Sequence, residues 1–307
     1  MKIAILGASS FIGKQLLDRL TSLGHEIIAI IREGSSSKSL FESTELVKTV
    51  KCNMDKYFTL ADSITNLDCL VYLTWDGTRG SSRDDYKKQE NNYNIGIATI
   101  EAFAKRGCKK IVLAGSQAEY GPLTENKKIS ETDEAHPNTE YGKFKLKLYD
   151  DALKIANRYS MTLLEPRFFS LYGPNDYEGT MIISVLKKML KDLSCDLTEC
   201  IQIWDFLYID DAIDALVILI EKANNTGIYN FGSGESYQLK HYIECMKKLT
   251  HSQSVLNYGV VPYPKTGIVN VNPAVDKLKS IGWAPKVTFE EGILNIIDSL
   301  NNEMKDN

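Results

Sequence analysis

The chain has 307 residues, 43% of them hydrophobic, and a formal net charge of −4 at pH 7. That length and apolar content can bury one large domain with a smaller lobe, and an acidic balance without a long basic run argues against a nucleic-acid partner. Strand-like residues begin at position 2, which leaves no room for a secretory leader, and no apolar run reaches about 18 residues, so we expect a soluble, cytoplasmic protein with no membrane contact.

The N-terminal segment combines a buried strand with a glycine turn. Residues 2–7 are strand-like and lead through a glycine- and serine-containing turn into an amphipathic helix. Such a turn presents backbone N–H groups and the positive end of the helix to a pyrophosphate, although an ordinary strand-to-helix turn has the same outline. We predict that the phosphates of a dinucleotide are bound by Gly7, Ser9, Ser10, Phe11, Ile12 and Gly13.

Strand-like apolar runs alternate with helical patterns through the first half of the chain. This alternation indicates a parallel sheet covered on both faces, with ligands at the carboxyl ends of the strands. We therefore predict an α/β fold with a Rossmann-type doubly wound parallel sheet. The predicted strands cover residues 2–7, 26–32, 47–51, 68–74, 110–115 and 160–166.

The end of the second strand bears on the choice of nicotinamide cofactor. A 2′-phosphate requires a cation there, whereas a free ribose 2′-hydroxyl favours a carboxylate acceptor. Arg32 follows the strand directly, with further donors at Ser35, Ser36 and Lys38, which predicts NADP(H). The alternative is that Glu33 accepts the ribose of NAD(H) and that Arg32 is solvated.

Three residues in the middle of the chain suggest proton-transfer chemistry. Tyr141 and Lys145 are four apart and share one face of a helix, so the ammonium is expected to lower the pKa of the phenol. Ser116 follows the fifth predicted strand and can hydrogen-bond the same substrate oxygen. Tyr-x-x-x-Lys also arises by chance on solvated helices, but here it follows a predicted dinucleotide turn. The polar loop 75–90, after the fourth strand, is expected to cover this site.

Taken together, these motifs resemble the extended short-chain dehydrogenase/reductase family of nucleotide-sugar epimerases, dehydratases and reductases. The resemblance runs along essentially the whole chain. It rests on the turn from Gly7 to Gly13, on Ser116, Tyr141 and Lys145 with the family's separation, and on the later stretches 167–174, 205–211, 229–234 and 276–285.

The resemblance implies further cofactor contacts and a division of the chain. Asn53 and Met54 match the adenine side of the family's site, Leu73, Thr74 and Trp75 would lie behind the cofactor, and Asn92 matches a structural asparagine. Residues 1–167 and about 205–230 would form the NADP-binding domain, and 168–204 with 231–307 the smaller C-terminal substrate-binding lobe. Helices near 85–106 and 140–158 would pair in a homodimer.

The resemblance also narrows the reaction. Dehydratases of the family carry Asp-Glu after the catalytic hydroxyl, where this chain has Gln117-Ala118, so dehydration is not expected. The segment 115–121 with Trp204 resembles the 4-ketosugar reductases of the CDP-abequose synthase type. We expect NADPH-dependent reduction of the keto group, at C4, of a nucleotide-linked 4-keto-6-deoxy sugar. The alternatives are a 4-epimerase that retains NAD(P) and, less favoured, a non-catalytic NADP-binding regulator.

Substrate contacts are the least specific part of the pattern. Trp204 and Ser170 replace an Arg and an Asn that serve the nucleotide diphosphate in many members of the family. The cysteines and histidines show no metal-ligand spacing, so no metal is expected. Candidate substrate-binding residues are Thr78, Arg83, Gln117, Glu119, Arg167, Phe169, Ser170, Trp204 and Tyr263.

Overall fold

The computed structural model describes residues 1–34, 43–123, 127–263 and 268–306. The strands are β1 (Lys2–Leu6), β2 (Glu26–Ile31), β3 (Val47–Lys51), β4 (Cys69–Tyr72), β5 (Lys110–Leu113), β6 (Gly115–Ser116), β7 (Thr162–Phe168), β8 (Ser170–Tyr172), β9 (Cys195–Asp196), β10 (Ile203–Tyr208), β11 (Gly227–Phe231), β12 (Ser236–Gln238) and β13 (Leu256–Asn257). The helices are α1 (Phe11–Ser22), α2 (Tyr86–Lys105), α3 (Glu140–Tyr159), α4 (Met181–Met189), α5 (Ile209–Lys222), α6 (Leu239–Leu249), α7 (Asp276–Ser280) and α8 (Phe289–Asp306), with 3₁₀ turns at Met54–Asp62, Gly80–Asp84 and Gln117–Glu119.

The central sheet is parallel and doubly wound. Its strand order is β11-β7-β5-β4-β1-β2-β3, with the short β6 also paired to β7. The chain runs outward from β1 through β2 to β3 and then crosses back to β4 on the other side of β1. This reversal leaves a crevice at the carboxyl ends of β1 and β4, where α/β proteins bind ligands. The predicted α/β fold is confirmed.

Side-chain alternation along β1 builds a core on each face of the sheet. Ile3 and Ile5 point into one core, which includes α1 and α5, whereas Ala4 and Leu6 point into the other, which includes α2 and α3. This is the period of two that a strand buried on both faces produces. The two layers of helices hold the loops at the sheet's carboxyl edge in fixed positions.

A second, smaller sheet lies outside the central one. β10 pairs in parallel with β8 and antiparallel with β12, and an aromatic cluster that includes Tyr172, Phe206, Tyr242 and Phe289 packs around it. After β10 the chain returns through α5 to β11 at the edge of the central sheet. Residues 205–230 are therefore shared, because β10 belongs to the small sheet and β11 to the large one.

Two of the helices next to the cavity, α1 and α3, begin at side-chain caps. Ser10 Oγ accepts from the N–H of Gly13 at α1, and Thr139 Oγ1 accepts from the N–H of Gly142 at α3. These bonds satisfy donors that the first turn of a helix leaves unpaired. Across the four described stretches, none of the helices combines the length and apolarity that a bilayer crossing requires.

Candidate active site

A cavity of about 720 Å³ opens at the carboxyl edge of the central sheet, between that sheet and the small one. Its walls come from the segments that follow β1, β4 and β5, from the end of β7, and from β8, α4 and β10. Many residues predicted from the sequence meet there. They are Ser10, Phe11, Ile12, Leu73, Trp75, Thr78, Arg83, Ser116, Gln117, Tyr141, Lys145, Phe169, Ser170 and Trp204.

The glycine turn forms one end of the cavity. Gly7 adopts φ +88°, a conformation that L side chains rarely take. A Cβ on Gly13 would lie 2.2 Å from the Gly7 carbonyl oxygen, so only glycine allows α1 to begin this close to β1. Ser10 is exposed, and its Oγ accepts from Gly13 N–H at 3.0 Å, which leaves the hydroxyl proton free to donate. The turn therefore fits a pyrophosphate, with Ser10 as a donor.

The end of β2 presents both charges that the sequence suggested. Arg32 and Glu33 are exposed, and Asn53 binds Glu33 twice, since its Nδ2 donates to the carboxylate at 2.9 Å and its Oδ1 accepts from the Glu33 N–H. Asn53 thus fixes a carboxylate beside the predicted adenosine site. The predicted contacts of Ser35, Ser36 and Lys38 lie outside the described residues.

Asn92 holds the loop after β4 and does not line the cavity. Its side chain is 1% exposed, accepts from Asp76 N–H at 3.0 Å and donates to Asp76 O at 2.8 Å. Trp75 Nε1 donates to Gln89 Oε1 at 2.6 Å in the same region. The polar atoms of Asn92 are occupied by the loop backbone, which agrees with the structural asparagine that the resemblance implies, and its grouping with the cofactor contacts stays a prediction. Met54 packs against the core that includes α2 and α3, and Thr74 Oγ1 lies 3.3 Å from the Tyr57 hydroxyl.

Ser116, Tyr141 and Lys145 converge at the centre of the cavity. Tyr141 and Lys145 lie one turn apart on α3, and a hydrogen bond joins the side chains of Tyr141 and Ser116. Lys145 Nζ donates to Ala114 O at 2.7 Å and lies 4.1 Å from the centre of the Trp75 ring. Two hydroxyl groups and an ammonium group are thus held against one wall.

The pKa of Tyr141 differs in direction from the sequence expectation. Burial raises the pKa of Tyr141, and the hydrogen bond from Ser116 and the positive charge of Arg83 offset this only in part. Lys145 is directed to Ala114 O and Trp75, and burial lowers its own pKa to about 8. In this arrangement, removal from water disfavours the ionised form of Tyr141 by more than its neighbours favour it. Tyr141 is therefore held as the phenol.

Glu119 and Arg167 do not reach the cavity, which corrects their assignment as substrate contacts. They are 0% and 2% exposed, and Arg167 Nη2 lies 3.1 Å from Glu119 Oε2. Arg167 Nε also donates to Glu165 Oε2 at 2.9 Å. The three side chains lie against one another beneath the cavity wall, where Glu119 Oε2 makes no hydrogen bond to a described residue. Nothing in their sequence positions signalled this pairing, because it joins a 3₁₀ turn to β7.

Tyr263 is also displaced from its predicted role. Its hydroxyl donates to Gln202 Oε1 at 2.8 Å and accepts from Ile201 N–H at 3.3 Å. Gln202 itself lines the cavity, so Tyr263 supports a wall residue from behind. In contrast, Trp204 and Ser170 both line the cavity and contact each other, with Trp204 Nε1 donating to Ser170 Oγ at 2.8 Å.

Two arginines of the loop after β4 face the cavity. The Arg83 guanidinium lies 4.7 Å from the centre of the Tyr141 ring, and that of Arg79 lies 4.3 Å from the Tyr177 ring and 3.8 Å from Asp176. They bring two positive charges to the outer part of the cavity, close to Tyr141. Burial raises the pKa of Asp176, which weakens it as a permanent counter-charge.

Other wall residues were missed by the sequence analysis. They come from segments without a recognisable catalytic or binding motif. Their sequence pattern therefore predicted only that they belong to the core. They include Asp176, Met181, Ile182, Gln202, Phe206 and Leu239. One signal was available, since Asp176 lies just after the predicted 167–174 segment.

Comparisons with known proteins agree with this geometry. The model of the NAD dependent epimerase/dehydratase family matches residues 3–232. The chain is 26% identical to "CDP-abequose synthase" of Salmonella muenchen, over 96% of this chain and 97% of that protein, and 25% identical to "dTDP-4-dehydro-6-deoxyglucose reductase" of Escherichia coli, over 97% of each. Its fold is similar to that of the UDP-glucose 4-epimerase of Thermotoga maritima solved with UDP-glucose, with a TM-score of 0.88 at 20% identity over 99% of this chain and 100% of that one. The Thermus thermophilus UDP-glucose 4-epimerase, solved with NAD, gives a TM-score of 0.86 at 19% identity over 98% of this chain and 99% of that one.

Proposed function

This chain belongs to the NAD dependent epimerase/dehydratase family and is an NAD(P)-dependent enzyme, and from that premise we propose that it uses NADPH to reduce the keto group of a nucleotide-linked 4-keto-6-deoxy sugar. The observation that carries the proposal is the meeting of Tyr141, Ser116 and Lys145 on one wall of the cavity. The two relatives named for 4-ketosugar chemistry align over nearly their whole lengths and support the choice of substrate class.

The protonation of Tyr141 favours reduction as the direction of the reaction. Reducing a ketone generates an alkoxide that needs a proton, and a phenol whose pKa is raised by burial holds that proton at neutral pH. Oxidation, the first half of an epimerase cycle, requires the phenolate instead. The structure thus starts from the protonation state that a reductase uses.

Each of the three side chains has a distinct role in the step. The bound nicotinamide nucleotide supplies the hydride. Tyr141 transfers its proton to the forming sugar oxygen, and the Ser116 hydroxyl donates a hydrogen bond to the same oxygen. Lys145, one helical turn from Tyr141, adds a positive charge beside the reacting groups and would hold the nicotinamide ribose.

Gly7, Ser10, Phe11, Ile12 and Gly13 would hold the cofactor at its phosphates. For the adenosine end we propose a preference for NADP(H). Glu33 already accepts a hydrogen bond from Asn53, whereas Arg32 is exposed at the end of β2, where a 2′-phosphate would lie.

For the substrate, we assign the phosphates to Arg79 and Arg83. Both line the cavity, and guanidinium groups bind phosphate oxygens through paired hydrogen bonds. Gln117 Oε1 is buried in the cavity wall without a hydrogen-bond partner among the described residues. A buried acceptor of this kind favours a ligand donor, such as a sugar hydroxyl.

Two competing reactions fit less well. Dehydration needs an acid–base pair next to Ser116, but Gln117 and Ala118 carry no ionisable group. A 4-epimerase remains the second candidate. The carboxylate of Glu33 at the end of β2 favours it, since a free ribose hydroxyl of NAD would donate a hydrogen bond to that carboxylate.

We also propose a cytoplasmic homodimer formed through α2 and α3. These neighbouring helices carry the aromatic side chains of Tyr86, Tyr93 and Phe144 in mutual contact. Tyr86 is 54% exposed and presents an apolar ring to solvent, which a partner's helices would cover.

The test offers purified protein NADPH or NADH with a panel of nucleotide-linked 4-keto sugars and follows nicotinamide absorbance, with products identified by mass and NMR. We expect a steady fall in absorbance with NADPH, and Tyr141→Phe should reduce turnover by about 10²–10⁴-fold with NADPH affinity preserved. Tyr237→Phe, which removes an exposed phenol outside the cavity lining and outside α2 and α3, is the control. Product without net NADPH consumption would favour the epimerase instead, and full turnover by Tyr141→Phe would exclude both reactions.

A further inference from the structure

Four charged side chains lie buried together beneath the wall that carries Tyr141. Glu119, Glu165, Arg167 and Lys145 are each at most 5% exposed. Arg167 Nε donates to Glu165 Oε2 at 2.9 Å, and Arg167 Nη2 lies 3.1 Å from Glu119 Oε2. Buried ion clusters are often no more stabilising than apolar packing. The proposed reaction uses only Lys145 of the four, so the other three require a separate explanation.

The cluster holds the backbone segment from which Ser116 projects. Glu119 Oε1 accepts from the N–H of Ser116 at 2.7 Å, and Lys145 Nζ donates to the carbonyl oxygen of Ala114 at 2.7 Å. A carboxylate and an ammonium group therefore bind the two ends of one three-residue stretch. Displacing either would move the Ser116 hydroxyl.

Gly115, in the middle of that stretch, explains why the cluster fits. A Cβ at Gly115 would lie 2.7 Å from Cγ of Glu165 and 3.0 Å from Cγ of Arg167. The absence of a side chain thus lets the Glu165 and Arg167 stems pack directly against the backbone. The Tyr120 ring covers the guanidinium of Arg167, with its centre 4.5 Å away.

The charges in the cluster are unequal. Burial raises the pKa of both carboxyl groups, and the charge of Glu119 raises the pKa of Glu165 further, well above its ordinary value. Burial lowers the pKa of Lys145, and the negative charges of Glu119 and Glu165 both oppose this fall. The other titratable or charged groups near this cluster are Tyr120 against Arg167, Tyr141 and Tyr149 on α3, and Arg83 beside Tyr141.

We propose, on the basis of the function proposed above, that Glu119 is a positioning residue for Lys145 and Ser116. Its carboxylate keeps the buried ammonium of Lys145 charged and fixes the backbone that presents the Ser116 hydroxyl. Arg167 donates to Glu165 and lies beside Glu119, which keeps the charged groups together. Glu119 acts through its neighbours and does not touch the substrate.

The test compares Glu119→Gln with Glu165→Gln. Both variants keep the shape and an acceptor oxygen, but only Glu119 binds the backbone of Ser116, and the Glu165 carboxylate is already paired with Arg167 Nε. Because a nearby opposite charge shifts a pKa by about 1 unit or more, Glu119→Gln should move the alkaline fall of kcat about 1 pH unit lower. Glu165→Gln should move that fall by less, and all three proteins should agree near pH 6.

Direct titration of Lys145 separates this proposal from the proposed reaction. Protein labelled with ¹³C at lysine Cε is titrated by NMR, and the Lys145 signal is identified by its loss in Lys145→Arg. The Lys145 pKa should fall further in Glu119→Gln than in Glu165→Gln, whatever the protein does to any sugar. Equal shifts in the two variants, or no shift in either, would overturn the proposal.

A measurement on the wild-type protein covers the case in which Glu119→Gln does not fold. With ¹³C at glutamate Cδ, at least one buried carboxyl should be ionised at pH 7. Two protonated carboxyl groups would mean that no negative charge supports Lys145, and the proposal would then fail.

Discussion

The side chains that meet at the cavity differ in how firmly the fold holds them. Tyr141 and Lys145 are 7% and 5% exposed and lie on a twenty-residue helix. Arg79 and Arg83 belong to a short 3₁₀ turn and its cap, and their contacts are mainly with aromatic rings. The reacting groups are therefore fixed, whereas the arginines have room to adjust to a ligand.

Arg83 offers the clearest residue-level prediction. Arg83→Gln should raise KM for the sugar nucleotide about tenfold, because one charge-assisted contact to phosphate is worth about 1.5–3 kcal/mol. KM for NADPH should stay unchanged, since Arg83 lies away from the glycine turn. Initial rates at several salt concentrations measure this, and the salt dependence should weaken in the variant.

Arg106→Gln is the matched control for Arg83. Arg106 is an exposed arginine that pairs with Asp62 on the far side of α2 from the cavity, so its loss should change neither KM. An Arg83→Gln variant with the wild-type KM for the sugar nucleotide would remove Arg83 from the proposed phosphate site.

The residues of the site were not equally accessible to sequence analysis. The spacing of Tyr141 and Lys145 places them on one face of α3, because helix geometry fixes neighbours at four residues. The pairing of Glu119 with Arg167 joins residues 48 apart in the chain, and no local rule predicts it. The same holds for the pKa of Tyr141, whose direction depends on burial that only the folded chain creates.

At the level of elements, α1 combines a structural cap with the proposed phosphate site. Ser10→Ala removes the acceptor for Gly13 N–H and should lower the free energy of unfolding by about 1 kcal/mol. It also removes a hydroxyl donor next to the phosphates, so NADPH affinity should fall. Ser10→Gly should keep stability within a few tenths of a kcal/mol. Urea denaturation and fluorescence titration with NADPH measure the two effects.

Asp85→Ala separates capping from cofactor binding. Asp85 caps α2 through Lys88 N–H at 3.1 Å, so its loss should cost similar stability while leaving NADPH affinity intact. Equal loss of NADPH affinity in both variants would show that Ser10 acts only through helix stability.

The strands of the large sheet were more predictable than those of the small one. Each predicted run overlaps an observed strand, namely β1, β2, β3, β4, β5 or β7, and strands buried on both faces, such as β1 and β4, are largely apolar. β8 and β12 have three residues each, and β6 has two, which is too short for a periodic pattern. Their pairing depends on tertiary contacts with β7 and β10.

At the scale of the whole molecule, Asp205 joins the small sheet to the loop after β11. It is 0% exposed on β10, and its carboxylate accepts from Ser233 N–H, Ser233 Oγ–H and Gly234 N–H at 2.8 to 2.9 Å. Burial raises the pKa of Asp205 to about 6, although these hydrogen bonds oppose the rise. The same loop borders the lobe that closes the cavity, so the charge of Asp205 bears on the stability of the whole fold.

The pKa of Asp205 predicts how stability depends on pH. The folded protein holds the Asp205 proton up to about pH 6, whereas the unfolded chain releases it near the ordinary aspartate pKa of 3.8. Between these values the folded state binds more protons, so this group's contribution to stability falls as pH rises, by at most about 3 kcal/mol.

Asp205→Asn lacks this titration and turns an amide N–H₂ toward N–H donors, which costs about 1–3 kcal/mol. The advantage of wild type over Asp205→Asn should therefore be largest near pH 4 and narrow toward pH 6.5, as measured by urea denaturation at each pH. Asp298→Asn, at an exposed position on α8, should show no such trend, and an advantage that grows with pH would mean that the fold favours the charged form of Asp205.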